Sequence, residues 1–101
     1  MEILAGLPRD QAKLDLSIII VNWNSSGYLE KCLKSIVDHT SGLSFEIIVV
    51  DNASYDGCDR VANQYSGVST LIQSESNLGF AKANNLGYHH STGDVLLFLN
   101  P

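Results

Sequence analysis

Leu16-Ser17-Ile18-Ile19-Ile20-Val21, followed by Asn22-Trp23-Asn24-Ser25-Ser26, is the stretch that decides the fold. Its first six residues are largely β-branched and almost continuously apolar, the pattern of a strand covered on both faces, as strands of parallel sheets are. After the polar break, apolar residues recur at Leu29, Cys32, Leu33, Ile36 and Val37. That spacing is one face of a helix. Ser25 or Ser26 is placed to cap its first turn by accepting a free backbone N–H, and Gly42 to end it. A buried strand that feeds an amphipathic helix opens an α/β unit.

The alternation continues along the chain. Phe45 to Val50 reads as a second buried strand, closed by the polar run Asp51-Asn52-Ala53-Ser54-Tyr55-Asp56-Gly57. Asp56 is a suitable cap for a helix that turns Val61, Ala62 and Tyr65 inward. Thr70 to Gln73 is a short third strand. Asn77-Leu78-Gly79 turns the chain into a third helix, from about Phe80 to His90, with Gly93 as its stop. Val95 to Leu99 is the fourth strand. Strands alternating with helices predict an α/β fold, a Rossmann-like parallel sheet with right-handed crossovers. Ligands of such sheets bind beyond the carboxyl ends of the strands. Three polar clusters, Asn22-Trp23-Asn24, Asp51-Asn52-Ala53-Ser54 and Asn100-Pro101, are expected to converge there. Residues 1–14, which mix Gly6 and Pro8 with polar residues, are expected to be a leader or an expression remnant, leaving 15–101 as the folded unit.

Composition removes several function classes. A net charge of −5 with only six Lys plus Arg lacks the basic stripe that phosphate-backbone binding needs, so nucleic acid is not an expected partner. Cys32 and Cys58 fit no close metal-ligand spacing and both fall in predicted helices; both are expected to be reduced, with Cys32 in the core. No basic stretch precedes an apolar run of secretory type, and no apolar run approaches the roughly 20 residues of a spanning helix. A cytoplasmic location is the default expectation, with peripheral association at the inner face of the membrane open to a longer protein. His39, His89 and His90 fall near helix ends and receive no role, and Asp94 is expected to be a turn residue.

The first strand leads into neither a GxGxxG turn nor a Walker lysine loop, which disfavours hydride transfer on a dinucleotide and phosphate clamping by the first loop. A sugar nucleotidyltransferase would need a glycine-rich loop bearing Arg and Lys, and Asn22-Trp23-Asn24-Ser25-Ser26 is not one.

Three blocks carry a specific resemblance: Ser17 to Asn24, Glu46 to Gly57, and Asn77-Leu78-Gly79-Phe80-Ala81-Lys82-Ala83-Asn84-Asn85. In this order they resemble the signatures of family 2 glycosyltransferases, and among these the rhamnosyltransferase-like group. The resemblance covers Leu16 to Pro101. It implies a GT-A fold in which this half binds a nucleoside diphosphate sugar and a further half binds the acceptor. It also implies that Asp51 accepts a hydrogen bond from the base N3–H of a uracil or thymine. A carboxylate only accepts, so it pairs with that N–H and rejects cytosine, which has only an acceptor there. Against this stands the ordinary use of Asp as a turn cap. By the same resemblance Val21, Asn22 and Trp23 line the first loop. Trp23 either offers a flat face to base or ribose or packs beneath the loop. Asn52, within the second block, joins the expected nucleotide-binding set. Asn77, Gly79, Lys82 and Asn84 belong to the third block, with Gly79 allowing close backbone approach and Asn84, more than Lys82, reaching the pyrophosphate near a helix start.

The resemblance further implies an acidic motif after the fourth strand, Asn-Pro-Asp in the rhamnosyltransferase-like version, that holds a divalent metal, Mg or Mn, on the diphosphate. The sequence ends at Asn100-Pro101, so neither a metal ligand nor a catalytic base is assigned within it, and no metal is expected on this chain. The expectation is an inverting transferase whose 101 residues alone are inactive, with a UDP- or dTDP-sugar as donor and a glycan or lipid-linked acceptor met by the other half. Self-association through an uncovered sheet edge is expected as well. The alternative is a noncatalytic α/β module that binds a nucleotide or a protein.

Overall fold

A computed structural model describes residues 14–101; the expected leader lies outside the described residues except for Leu14, which already belongs to the first strand. The elements are β1 (Leu14–Asn22), α1 (Ser26–His39), β2 (Phe45–Asp51), α2 (Cys58–Asn63), β3 (Ser69–Gln73), α3 (Gly79–His89) and β4 (Gly93–Leu99). All three strand pairings are parallel, within one four-stranded sheet of order β3-β2-β1-β4. The chain steps outward from β1 to β3, then returns to the other side of β1. That reversal is the switch point at which α/β sheets open a crevice between adjacent loops.

Alternation along the strands divides the core between two faces, because successive side chains point to opposite sides. Ile18, Ile20, Ile47 and Val49 pack with Leu29, Leu33 and Cys58 on the side covered by α1 and α2. Ile19, Val21, Ile48 and Val50 pack with Ala83 of α3 on the other. Both strands are thus apolar without a break because each side has its own helix layer. Leu29 and Leu33 are wholly buried, which is worth about 1.5–3 kcal/mol for each side chain. Val37, although in the helical spacing, lies at the exposed margin of α1.

Three expectations are corrected. Neither Ser25 nor Ser26 caps α1 with its side chain; the acceptor comes from Asp56, as described below. Gly93 does not stop α3, whose C-cap is His90, but begins β4. A Cβ there would lie 2.6 Å from the Ser17 backbone nitrogen, so glycine is required for β4 to approach β1. Of the two thiols, which are both free, Cys58 is buried and Cys32 only partly so. Cys32 packs at the margin of the core cluster that contains the wholly buried Leu33.

Polar clasps set the amino end of the sheet. Asp15 and Ser44 exchange hydrogen bonds, Asp15 N–H donating to Ser44 Oγ at 2.9 Å and Ser44 N–H to Asp15 Oδ2 at 3.0 Å. Buried Ser17 donates to Glu46 Oε2 at 2.6 Å and accepts from Gly93 N–H at 2.8 Å. Thr92 adds two donors to the same Glu46 oxygen, so this carboxylate holds the start of β4 in place. β4 is the least covered strand: Val95, Leu97 and Phe98 are exposed. Among the described residues, no helix is long and apolar enough to cross a membrane.

Candidate functional site

The register of β1 on β2 ends with Asn22 beside Asp51, so the last residues of the two central strands stand side by side at the carboxyl rim. Both are buried, Asn22 at 0% exposure and Asp51 at 4%. The Asn22 side-chain amide donates toward Asp51 Oδ1 at 3.4 Å, Ser54 Oγ at 3.2 Å and Asp56 Oδ2 at 3.5 Å. Its own carbonyl oxygen, Oδ1, is buried without a hydrogen-bond partner. An orphaned buried acceptor is uncommon and costs about 1–3 kcal/mol.

The loops after β1 and β2 are fastened to each other. Asn52 N–H donates to Asn22 O at 2.8 Å, Asn24 N–H to Ser54 Oγ at 2.8 Å and Tyr55 N–H to Asn24 Oδ1 at 3.2 Å. Ser54 Oγ donates in turn to Asn22 O. Asp56 reaches across with Oδ2 accepting Ser26 N–H at 2.8 Å and Oδ1 accepting Cys58 N–H at 3.2 Å. Asn24 and Ala53 adopt φ of 52° and 65°. Asn tolerates this left-handed region, whereas for Ala it costs about 1–2 kcal/mol. Strain of that kind persists where the surroundings over-determine the backbone, as this hydrogen-bonded pair of loops does.

The loop before α3 is tied in by Asn52. Its Oδ1 accepts Leu78 N–H at 2.7 Å, while its amide donates to Asn77 Oδ1 at 2.9 Å, and that oxygen also accepts Gly79 N–H at 2.8 Å. Gly79 has φ of 78°, a left-handed conformation that favours glycine.

The expected site residues therefore occupy different places. Val21 is buried in the core layer under α3. Trp23 stands out at 57% exposure, so it is not packed beneath the loop, and Tyr55 at 96% and Phe80 at 59% add exposed aromatic rings to rim segments. Asn52 and Asn77 spend their side-chain groups joining loops. Lys82 is exposed and Asn84 half-buried on α3, and neither enters the hydrogen-bonded cluster around Asp51 among the described residues. Ser54 lies on the rim as its polar cluster predicts, though it is not among the expected nucleotide-binding residues, and Asp56 is anticipated only as the cap of α2. Their signal lay in the run from Asp51 to Gly57 being matched as one block.

Close to this cluster, burial pushes the Cys58 thiol up to about 12, with Asp51, Asp56 and Asp59 adding to the effect. A thiol so held is neutral and poorly nucleophilic. Among the described residues, no group of three His, Cys, Asp or Glu side chains could hold a metal ion. At the rim a buried, hydrogen-bonded carboxylate, Asp51, ends β2, and an exposed indole, Trp23, follows β1.

Residues 17–101 match the family model described as Glycosyl transferase family 2. The chain is 36% identical over 90 residues to Glycosyltransferase AglE of Haloferax volcanii, covering 84% of this chain and 29% of the relative. It is 39% identical over 85 residues to an uncharacterized glycosyltransferase of Haemophilus influenzae, covering 84% and 28%. The chain thus spans less than a third of these curated relatives. Among solved structures, S. aureus TarS 1-349 in complex with UDP superposes with a TM-score of 0.77 at 27% identity, over 85% of this chain and 27% of that one. The mannosyltransferase PcManGT from Pyrobaculum calidifontis, in complex with GDP-Man and Mn2+, has a TM-score of 0.76 over 93% of this chain and 29% of its own. Its 24% identity speaks for the fold alone.

Proposed function

The chain belongs to glycosyl transferase family 2, and on that premise we propose that its carboxyl rim holds the nucleotide of a nucleoside diphosphate sugar, with Asp51 reading the base. The carrying observation is the state of the Asp51 carboxylate. Oδ1 is held by the Asn22 amide, while Oδ2 takes no donor among the described residues. An acceptor-only oxygen at a strand end suits the N3–H of uracil or thymine and repels the N3 lone pair of cytosine. Trp23, exposed immediately after the buried end of β1, supplies a face on which a base or ribose can stack. The likeness to TarS, a structure of which contains UDP, supports the same reading.

Transfer of the sugar, by inversion, to a glycan or lipid-linked acceptor is proposed for a longer protein, since this chain covers less than a third of its relatives. The 101 residues alone are proposed to bind and not to transfer. The narrower resemblance to the rhamnosyltransferase-like group rests on the sequence blocks alone. A divalent ion on the diphosphate would offset its charge, but the described residues do not fit one, and no step is derived through it. The test is calorimetric titration with UDP, dTDP and CDP, repeated on Asp51→Ala. Binding of UDP or dTDP that disappears in the variant supports the assignment; equal binding of CDP, or binding indifferent to Asp51→Ala, overturns it.

A further inference from the structure

We propose that Asn22 is a positioning residue that sets base selectivity by fixing which edge of Asp51 faces the ligand. The inference rests on the assignment of Asp51 as the base-reading group and adds a residue that does not touch the nucleotide with its side chain. Asn22 has 0% exposure, so its side chain lies behind the rim.

An amide carries two N–H hydrogens, and here three acceptors surround its nitrogen: Asp51 Oδ1, Ser54 Oγ and Asp56 Oδ2. Two of the three belong to carboxylates. Turning the amide over would set its oxygen against both, which electrostatics forbids, so the orientation is determined by its neighbours. The consequence is the orphaned Oδ1. The cost of that orphan is accepted to keep an N–H on Asp51.

A carboxylate with no such partner can rotate about its last torsion, which is broad and roughly two-fold. The N–H of Asn22 opposes that rotation: it holds Oδ1 and leaves Oδ2 turned to the ligand as an acceptor. Discrimination between an N3–H and an N3 lone pair depends on that state. Ser54 and Asp56 serve a different purpose, holding the amide from its other side while bonding to the β1–α1 loop and the start of α1.

The experiment measures Kd for UDP and CDP on the 101-residue chain and on Asn22→Leu, which keeps the branched shape and the number of side-chain heavy atoms but has no donor, with Asn22→Ser as a milder variant that restores one O–H donor. Far-ultraviolet circular dichroism and a thermal melt establish that each variant is folded. The ratio of the CDP to the UDP Kd should fall about tenfold in Asn22→Leu, the scale of one hydrogen bond to a charged group, and recover in part in Asn22→Ser. Lys34→Ala, on the exposed face of α1, should keep the ratio of the unmodified chain. A merely structural Asn22 would weaken both nucleotides together; an unchanged ratio in Asn22→Leu, with UDP binding still abolished by Asp51→Ala, overturns this inference and leaves the assignment of Asp51 standing. If Asn22→Leu does not fold, an unchanged ratio in Asn22→Ser overturns it equally. Failure of the unmodified chain to prefer UDP over CDP removes both.

Discussion

Asp56 Oδ2 accepts the backbone N–H of Ser26 at 2.8 Å, so α1 is capped by a residue 30 positions away. Its other oxygen accepts the N–H of Cys58 in the first turn of α2. One carboxylate therefore satisfies donors at two helix starts and complements both dipoles. A side-chain cap is worth about 1 kcal/mol, so Asp56→Ala should lose about 2 kcal/mol in urea unfolding. Asp56→Asn, with a single acceptor oxygen, should lose less. Equal stability of Asp56→Ala and the unmodified chain would show that water replaces both caps.

Two glycines face walls of different stiffness. A Cβ at Gly93 would meet the backbone of β1, with Ser17 N at 2.6 Å and Leu16 C at 2.7 Å, whereas one at Gly87 would meet the Ile19 Cγ2 methyl at 2.6 Å. Side chains can shift; a hydrogen-bonded ladder cannot do so without losing its register. Gly87→Ala should cost about 1–3 kcal/mol, as overpacking does, and Gly93→Ala should cost more. Gly27, with nothing within 4 Å of its would-be Cβ, is the control: alanine there should be neutral or add up to about 1 kcal/mol through helix propensity. Thermal melts of the three variants would rank them.

Burial raises the Cys58 thiol from 9.0 to about 12. The folded chain keeps its proton at a pH where the unfolded chain releases it. The contribution to stability is thus fully present below pH 9 and lost as pH rises through about 12. Stability measured by denaturant should fall across that window, and Cys58→Ala should flatten the slope. At pH 8 iodoacetamide should label Cys32, whose own rise is also due to burial, before Cys58. Prompt labelling of Cys58 in the folded chain would contradict its placement.

Among the described residues β4 is an edge strand, with Val95, Leu97 and Phe98 exposed. Unpaired strand edges with apolar side chains invite pairing with a second copy. The weight-average mass in sedimentation should rise with concentration, and Val95→Lys combined with Leu97→Lys should return the chain to a monomer. A constant monomeric mass of the unmodified chain would refute self-association.

Much of the fold is visible in the sequence because β1 and β2 are apolar on both faces and the helices keep an apolar stripe. Ile18, Ile19 and Ile20 are all buried, as their unbroken run implies. Helix and strand ends differ from expectation where partners lie far along the chain. Neither the Asp56 cap of Ser26 nor the close approach of Gly93 to Ser17 has a local signal. At the rim, Asp51 and Trp23 are legible as residue types suited to a base. That Asn52 and Asn77 bond to each other, and that Asn22 is wholly buried, are tertiary facts that a polar loop composition does not carry.

The pairs Asp15–Ser44, Ser17–Glu46 and Asn22–Asp51 are all separated by 29 residues. The ladder from Leu16 to Asn22 thus works as a ruler, set at its amino end and delivering a carboxylate at the other. An insertion or deletion in the connection between α1 and β2 leaves every rung in place, at an entropic cost that grows only slowly with length. One residue gained or lost inside β1 or β2 turns every later side chain to the opposite face and carries Asn22 away from Asp51. Inheritance at this rim should therefore be permissive in connector length and strict in strand length.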